Sequence, residues 1–135
     1  MTNSIALTDI DKTTLAVAAH GAIALITAAG VKSAGKIAVA GSLALASATG
    51  AVGHALDEKQ KGLKLDGKTT AELADRVFPA LTASMHLLKG QDAAAAEDFR
   101  STVLTAVEAG ARAERGGTGP AMTEMIRKIT NALDA

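Results

Sequence analysis

The chain has no cysteine, no tryptophan and no tyrosine, and only two phenylalanines in 135 residues. Without cysteine there is no disulfide scaffold, thiolate metal site, iron–sulfur cluster or thiol nucleophile. That absence fits a reducing, cytoplasmic setting. Phe78 and Phe99 are the only benzene rings, too few for the stacking platform that single-stranded nucleic acids require. Neither charge sign is in excess: 14 basic residues balance 14 acidic ones, which argues against a broad phosphate-binding surface. The opening Met1-Thr2-Asn3-Ser4 has no basic stretch before an apolar core, and Asp9 and Asp11 precede the first apolar run. A secretory signal is therefore not expected.

What the chain has in abundance is alanine, about thirty residues, well above the usual share. Alanine has the highest helix propensity and is depleted in strands, so an all-helical protein with closely packed helices is expected. The length suits one domain with its own core. Charge divides that domain in two. Between Thr13 and Leu56 the only charged side chains are Lys32 and Lys36, whereas from Asp57 onward charges are dense and mixed in sign.

In the front part, residues 1–58 read as an apolar Ala/Gly-rich hairpin. Its first helix is predicted from about Thr8 to Ala29, with Thr8 and Asp11 as a start signal and Gly30 as the end. Leu15, Val17, Ile23, Leu25 and Ile26 point in nearly every direction around it. Such a helix lies at the centre of a bundle or in a membrane. The second segment, Ser33 to about Glu58, is predicted as one helix with Ile37, Leu45, Val52 and Leu56 on one face. Period-two alternation over Ile37–Leu45, with Gly41-Ser42 placed as a turn, offers a strand hairpin instead. Helix is the preferred reading, because the alternating partner is alanine rather than a polar residue.

Residues 59–69 read as a solvated connector with an Asp66-Gly67 turn signal. Three amphipathic helices follow in 70–135. The first spans about Thr70–Lys89, with a Thr69/Glu72 capping box, a stripe of Leu73, Val77, Leu81, Met85 and Leu88, a kink at Pro79 and a stop at Gly90. The second spans about Asp92–Arg115 and buries Ala96, Phe99, Val103, Ala106, Val107 and Gly110. After a glycine-rich break at 116–119, Pro120 opens the last helix, which buries Met122, Met125, Ile126, Ile129 and Leu133. The expected fold is thus all-α: a single compact bundle of about five helices, its front hairpin central and the three later helices covering it.

Motifs with chemical meaning are few. Gly62 to Thr69 satisfies the phosphate-loop pattern, which would use Lys68 on the phosphates and Thr69 on magnesium. No hydrophobic strand precedes it, so a turn and a helix cap are the plainer reading. His20, His54 and His86 lack metal-ligand spacing. His20 lies in an apolar helix and needs a hydrogen-bond partner, while His54 and His86 fall on polar faces. The pairs Asp57-Glu58 and Glu97-Asp98 diverge by about 100° on a helix and read as solvated faces. Glu72 to Val77 opens like a helix-turn-helix, but Pro79 to Met85 continues the apolar stripe where a basic recognition helix would be needed. Thr13–Val31 and Ile37–Leu56 are each about long enough to span a bilayer, though small residues and a histidine in each weaken that reading.

Ala96-Glu97-Asp98-Phe99-Arg100-Ser101-Thr102-Val103-Leu104 and Met125-Ile126-Arg127-Lys128-Ile129-Thr130-Asn131-Ala132-Leu133 resemble segments of small uncharacterised bacterial helical proteins. The resemblance covers the last third of the chain. It implies an all-helical fold and a bacterial source, and it carries no catalytic residue.

From the sequence, then, no catalytic residue, metal ligand or cofactor is assigned. The function expected is that of a non-enzymatic interaction or self-assembly protein, because the front half has too few charges for an ordinary monomer surface. A homo-oligomer or a protein partner engaged through that half is the matching expectation. Nucleic acid is not an expected partner. The alternatives are a membrane-associating helical hairpin and a carrier of a small apolar ligand or cofactor near His20 and Met85.

Overall fold

The computed structural model describes residues 6–30, 32–60, 63, 65 and 69–135. Among these it holds six α-helices and no strand: α1 (Asp9–Ala29), α2 (Ala34–Ala46), α3 (Gly50–Glu58), α4 (Thr70–Gln91), α5 (Ala93–Arg112) and α6 (Pro120–Asp134). The all-α class is as expected, with one helix more than the predicted five.

Four of the helices start where local chemistry says they should. Thr8 and Asp11 form a reciprocal capping box on α1, each side chain bonding the other's backbone amide at 3.0 Å. Thr69 Oγ1 accepts from the Glu72 amide at 3.1 Å and caps α4. Asp92 accepts from the Ala94 amide and caps α5. Pro120 opens α6, where its missing N–H has no intrahelical use. One stop differs from expectation: α4 runs through Gly90 to Gln91, because Asp92 serves at once as its end and as the α5 cap.

The predicted single helix over Ser33–Glu58 is two. The strand alternative at Ile37–Leu45 does not form, as those residues are all helical in α2. The break follows Ala46. Ser47 folds its hydroxyl back on the Leu43 carbonyl, Thr49 is extended, and Gly50 has φ +76°, the left-handed region that side chains with a Cβ avoid. Gly53 then passes so close to the Ala48 carbonyl that a Cβ there would collide with it.

α1 is the hub and packs against all five other helices. This accounts for a helix that is apolar on every side. Leu15, Ala16, Ala18, Ala19, Ala22, Leu25 and Ile26 are completely buried. Close approach is set by small residues. A Cβ on Gly21 would strike the Val77 side chain of α4, and one on Gly41 of α2 would come within 2.8 Å of Ile23. On α5, a Cβ on Gly110 would lie 2.6 Å from Ile26 and 3.2 Å from Ile37. The second half of the expected hairpin is not central in the same sense. α2 buries Ile37, Gly41 and Leu45 against α1 and α5 and turns its opposite side to solvent.

α4, α5 and α6 bury the expected stripes, among them Val77, Leu81, Met85 and Leu88, then Phe99, Val103 and Val107, then Met122, Ile129 and Leu133. Met125 and Ile126 are only half-buried. Polar ties fasten the periphery. Arg100 makes a two-pronged contact with Asp134 at 2.7 and 3.1 Å, joining α5 to α6. Thr82 donates to the Ala132 carbonyl at 2.7 Å, joining α4 to α6. Gln91 bonds both the amide and the carbonyl of Ala6.

Candidate functional site

The residues singled out by chemistry do not assemble. His20 is half-buried on α1 and its Nε2 lies 3.2 Å from the Leu56 carbonyl near the end of α3. This satisfies the imidazole, as its apolar surroundings require. His54 is exposed, 3.6 Å from Glu58 on the same helix. His86 is exposed on α4, 3.0 Å from the Ala135 carbonyl. Among the described residues no cluster of three or more His, Asp or Glu could hold a metal. Glu58 is engaged by Lys12 at 3.2 Å, and Lys59 pairs with Asp9, so these charges fasten α3 to the start of α1. Glu97 and Asp98 are exposed on α5.

Most of the phosphate-loop stretch, including Gly62, Gly67 and Lys68, lies outside the described residues. Thr69 is described, and its hydroxyl is the α4 cap. The helix-turn-helix opening, Glu72 to Val77, lies inside one uninterrupted helix that continues through Phe78 and Pro79. No turn divides it.

One buried carboxylate escaped the sequence reading. Glu114, just beyond α5, is 7% exposed. Its Oε1 accepts from the backbone amides of Lys32 and Ser33 at 3.2 and 2.9 Å. In return Ser33 Oγ accepts from the Arg115 amide at 3.2 Å. An anion is thereby set at the amino-terminal, electropositive end of α2, replacing the cap that the Ser33 side chain does not provide. The role is structural, locking α2 to α5. Ser84 Oγ, fully buried in α4, has no hydrogen-bond partner among the described residues.

Three surface grooves offer room for a ligand or partner. The largest, about 970 Å³, lies along α4 and α6, between Phe78, Pro79, Thr82 and Ala83 on one side and Lys128, Asn131 and Ala132 on the other. It is broad and open, and its Thr82 and His86 are already bonded to α6 and to Ala135. A second, about 450 Å³, runs between α1 and α4 beside Ile10. Neither His20 nor Met85 lines any of the three, so the apolar cavity expected there for a small ligand does not appear among them.

The third groove, about 370 Å³, lies on the outer face of α2, formed by Ala38, Val39, Ser42, Leu43, Ala46 and Gln60. It carries two neighbouring exposed apolar side chains. The large apolar side chains exposed among the described residues are Ile10, Val39 and Leu43, and the last two are 59% and 64% exposed. They stand one helical turn apart on a face without charge beyond Lys36. This outer face of α2 is the candidate functional site.

Comparison of the chain with protein-family models, with curated proteins and with solved structures found no match.

Proposed function

We propose that this protein is a non-enzymatic interaction protein that self-assembles through its amino-terminal half. The observation that carries the reading is the solvent-facing pair Val39 and Leu43 on α2. Isolated exposed apolar residues are ordinary on a monomer. Here the pair is flanked by Gly35, Ala38, Ser42 and Ala46, which contribute neither charge nor bulk to keep another surface away, with Lys36 and Gln60 at the edge. Small residues of this kind permit close backbone approach between helices.

Size-exclusion chromatography with light scattering, run across a wide concentration range, tests the reading. A mass that rises with concentration is expected. Leu43→Gln is expected to lower the association while leaving folding nearly unchanged, since exposed substitutions cost within about 0.5 kcal/mol. A mass that stays monomeric throughout, with no hydrophobic dye bound, rejects the proposal.

The membrane alternative has one observation in favour. α1 is 21 residues long and apolar enough to cross a bilayer by length and composition. Its flanks are occupied by five helices, however. The other run, Ile37–Leu56, is divided between helices of 13 and 9 residues. At about 1.5 Å per residue neither reaches across the roughly 30 Å hydrocarbon core.

A further inference from the structure

Resting on that self-assembly reading, we infer that the partner on α2 is a second copy of this chain, its α2 lying antiparallel across a two-fold axis between Val39 and Leu43. Charge sets the direction. Ser33 bonds Glu114 and Arg115, and Gly110 abuts Ile37, so α2 and α5 run antiparallel. The amino-terminal end of α2 and the carboxy-terminal end of α5 therefore share one pole of the molecule. Lys32, Lys36, Arg112 and Arg115 are all exposed there. On α2 and α5 the acids at that pole are Glu108, one turn before Arg112, and, just beyond α5, Glu114, whose carboxylate is turned inward onto α2; Glu72, Asp75 and Glu124 stand at the same pole on α4 and α6. Toward the opposite pole, exposed on α5, stand Glu97 and Asp98.

Parallel pairing would set the two cationic poles side by side. Antiparallel pairing lays each cationic pole toward the partner's acidic one. By helical register it places Val39 against Leu43 of the partner subunit and Leu43 against Val39 of the partner subunit. Lys36 then meets the partner's α2 carboxy-terminus, which has no basic residue in its last turn and whose carbonyls favour a cation. On the flanking α5, Arg112 lies within a turn of the partner subunit's Asp98, and Arg115, in the turn beyond the α5 end, lies toward Glu97 of the partner subunit. The intervening Arg100 is held by Asp134 of its own chain. α2 is about 20 Å long, so the contact is below the standard interface size of roughly 800 Å² per partner. Association is correspondingly weak and reversible.

The absence of cysteine makes the geometry testable in the full chain. Val39→Cys and Leu43→Cys variants, mixed in equal amounts under mild oxidation, are expected to cross-link to each other about tenfold faster than either does to itself. Antiparallel register brings only the unlike pair within disulfide reach. A second pair of variants tests the charges. Arg112→Glu/Arg115→Glu and Glu97→Lys/Asp98→Lys should each lose association alone and regain it when mixed. Faster self-cross-linking of Val39→Cys would mean a parallel pair and overturns the inference. Concentration-dependent mass without any cross-link above random overturns it too, while leaving self-assembly through another surface standing. A monomer at every concentration removes both. Co-flotation with anionic phospholipid vesicles that Leu43→Gln abolishes, with no cross-link above random, would assign the face to lipid and likewise overturn the inference.

Discussion

Gly21 and Gly90 are both helical, yet substitution should move stability in opposite directions. A methyl on Gly21 runs into Val77, whose branched side chain has little rotamer freedom. Overpacking of this kind costs about 1–3 kcal/mol and outweighs the helix-propensity gain of up to about 1 kcal/mol. Gly90 has open space around its Cβ position, so there the propensity gain stands alone. Chemical denaturation should show Gly21→Ala destabilised and Gly90→Ala stabilised by about 0.5–1 kcal/mol. Equal shifts in the two variants would show that α1 and α4 are not in the close contact described. Sequence cannot tell such glycines apart, because what distinguishes Gly21 from Gly90 is a neighbour roughly half a chain away.

At the scale of elements, legibility followed the capping chemistry. Thr8, Thr69, Asp92 and Pro120 mark helix starts through side chains acting within a few residues, and local signals of that kind survive without knowledge of the fold. The division of α2 from α3 had no such marker. Gly41, Gly50 and Gly53 look alike in a run of alanines, yet Gly41 is a contact with Ile23 while Gly50 carries the turn. The candidate face was legible only as a shortage of charge between Thr13 and Leu56. Which of those residues stay exposed depended on α1 taking the centre and leaving α2 one side uncovered. Glu114 was illegible for the same reason, since its meaning lies in two amides that lead into another helix. Replacing it with alanine leaves those amides without their acceptor and should cost about 1–3 kcal/mol. The loss should be local. Hydrogen exchange is expected to show lost protection over Ala34–Ala46 before the rest of the bundle, and uniform loss would mean that the Glu114 lock does not act on α2 in particular.

For the molecule as a whole, acid is the condition most informative about the outer ties. The hydrogen bond from Arg100 holds the Asp134 carboxyl below its ordinary 3.8, with desolvation opposing and the Arg100 charge assisting. Asp9, bonded by Lys59, and Glu124, bonded by Arg127, are lowered in the same way. A carboxyl whose folded-state value is depressed contributes its full stabilisation above the unfolded value. It loses that contribution as pH falls through the folded one. Stability should therefore be flat near neutrality and decline below about pH 4, modestly, because these pairs are exposed. In Asp134→Asn, denaturation midpoints measured along the acid limb should fall less steeply than in the parent chain. An unchanged slope would mean that the α5–α6 tie contributes nothing in solution.

The hub position of α1 has a consequence in time as well as in space. α1 is made early, but the residues that cover it, from Val77 on α4 to Leu133 on α6, come later in the chain. At roughly 5–20 residues per second, a ribosome leaves this apolar helix without its partners for several seconds. During that interval it displays to the cell the surface that the finished bundle hides most thoroughly. Alanine, which forms helix readily while offering little apolar area per residue, keeps that exposed surface weakly adhesive.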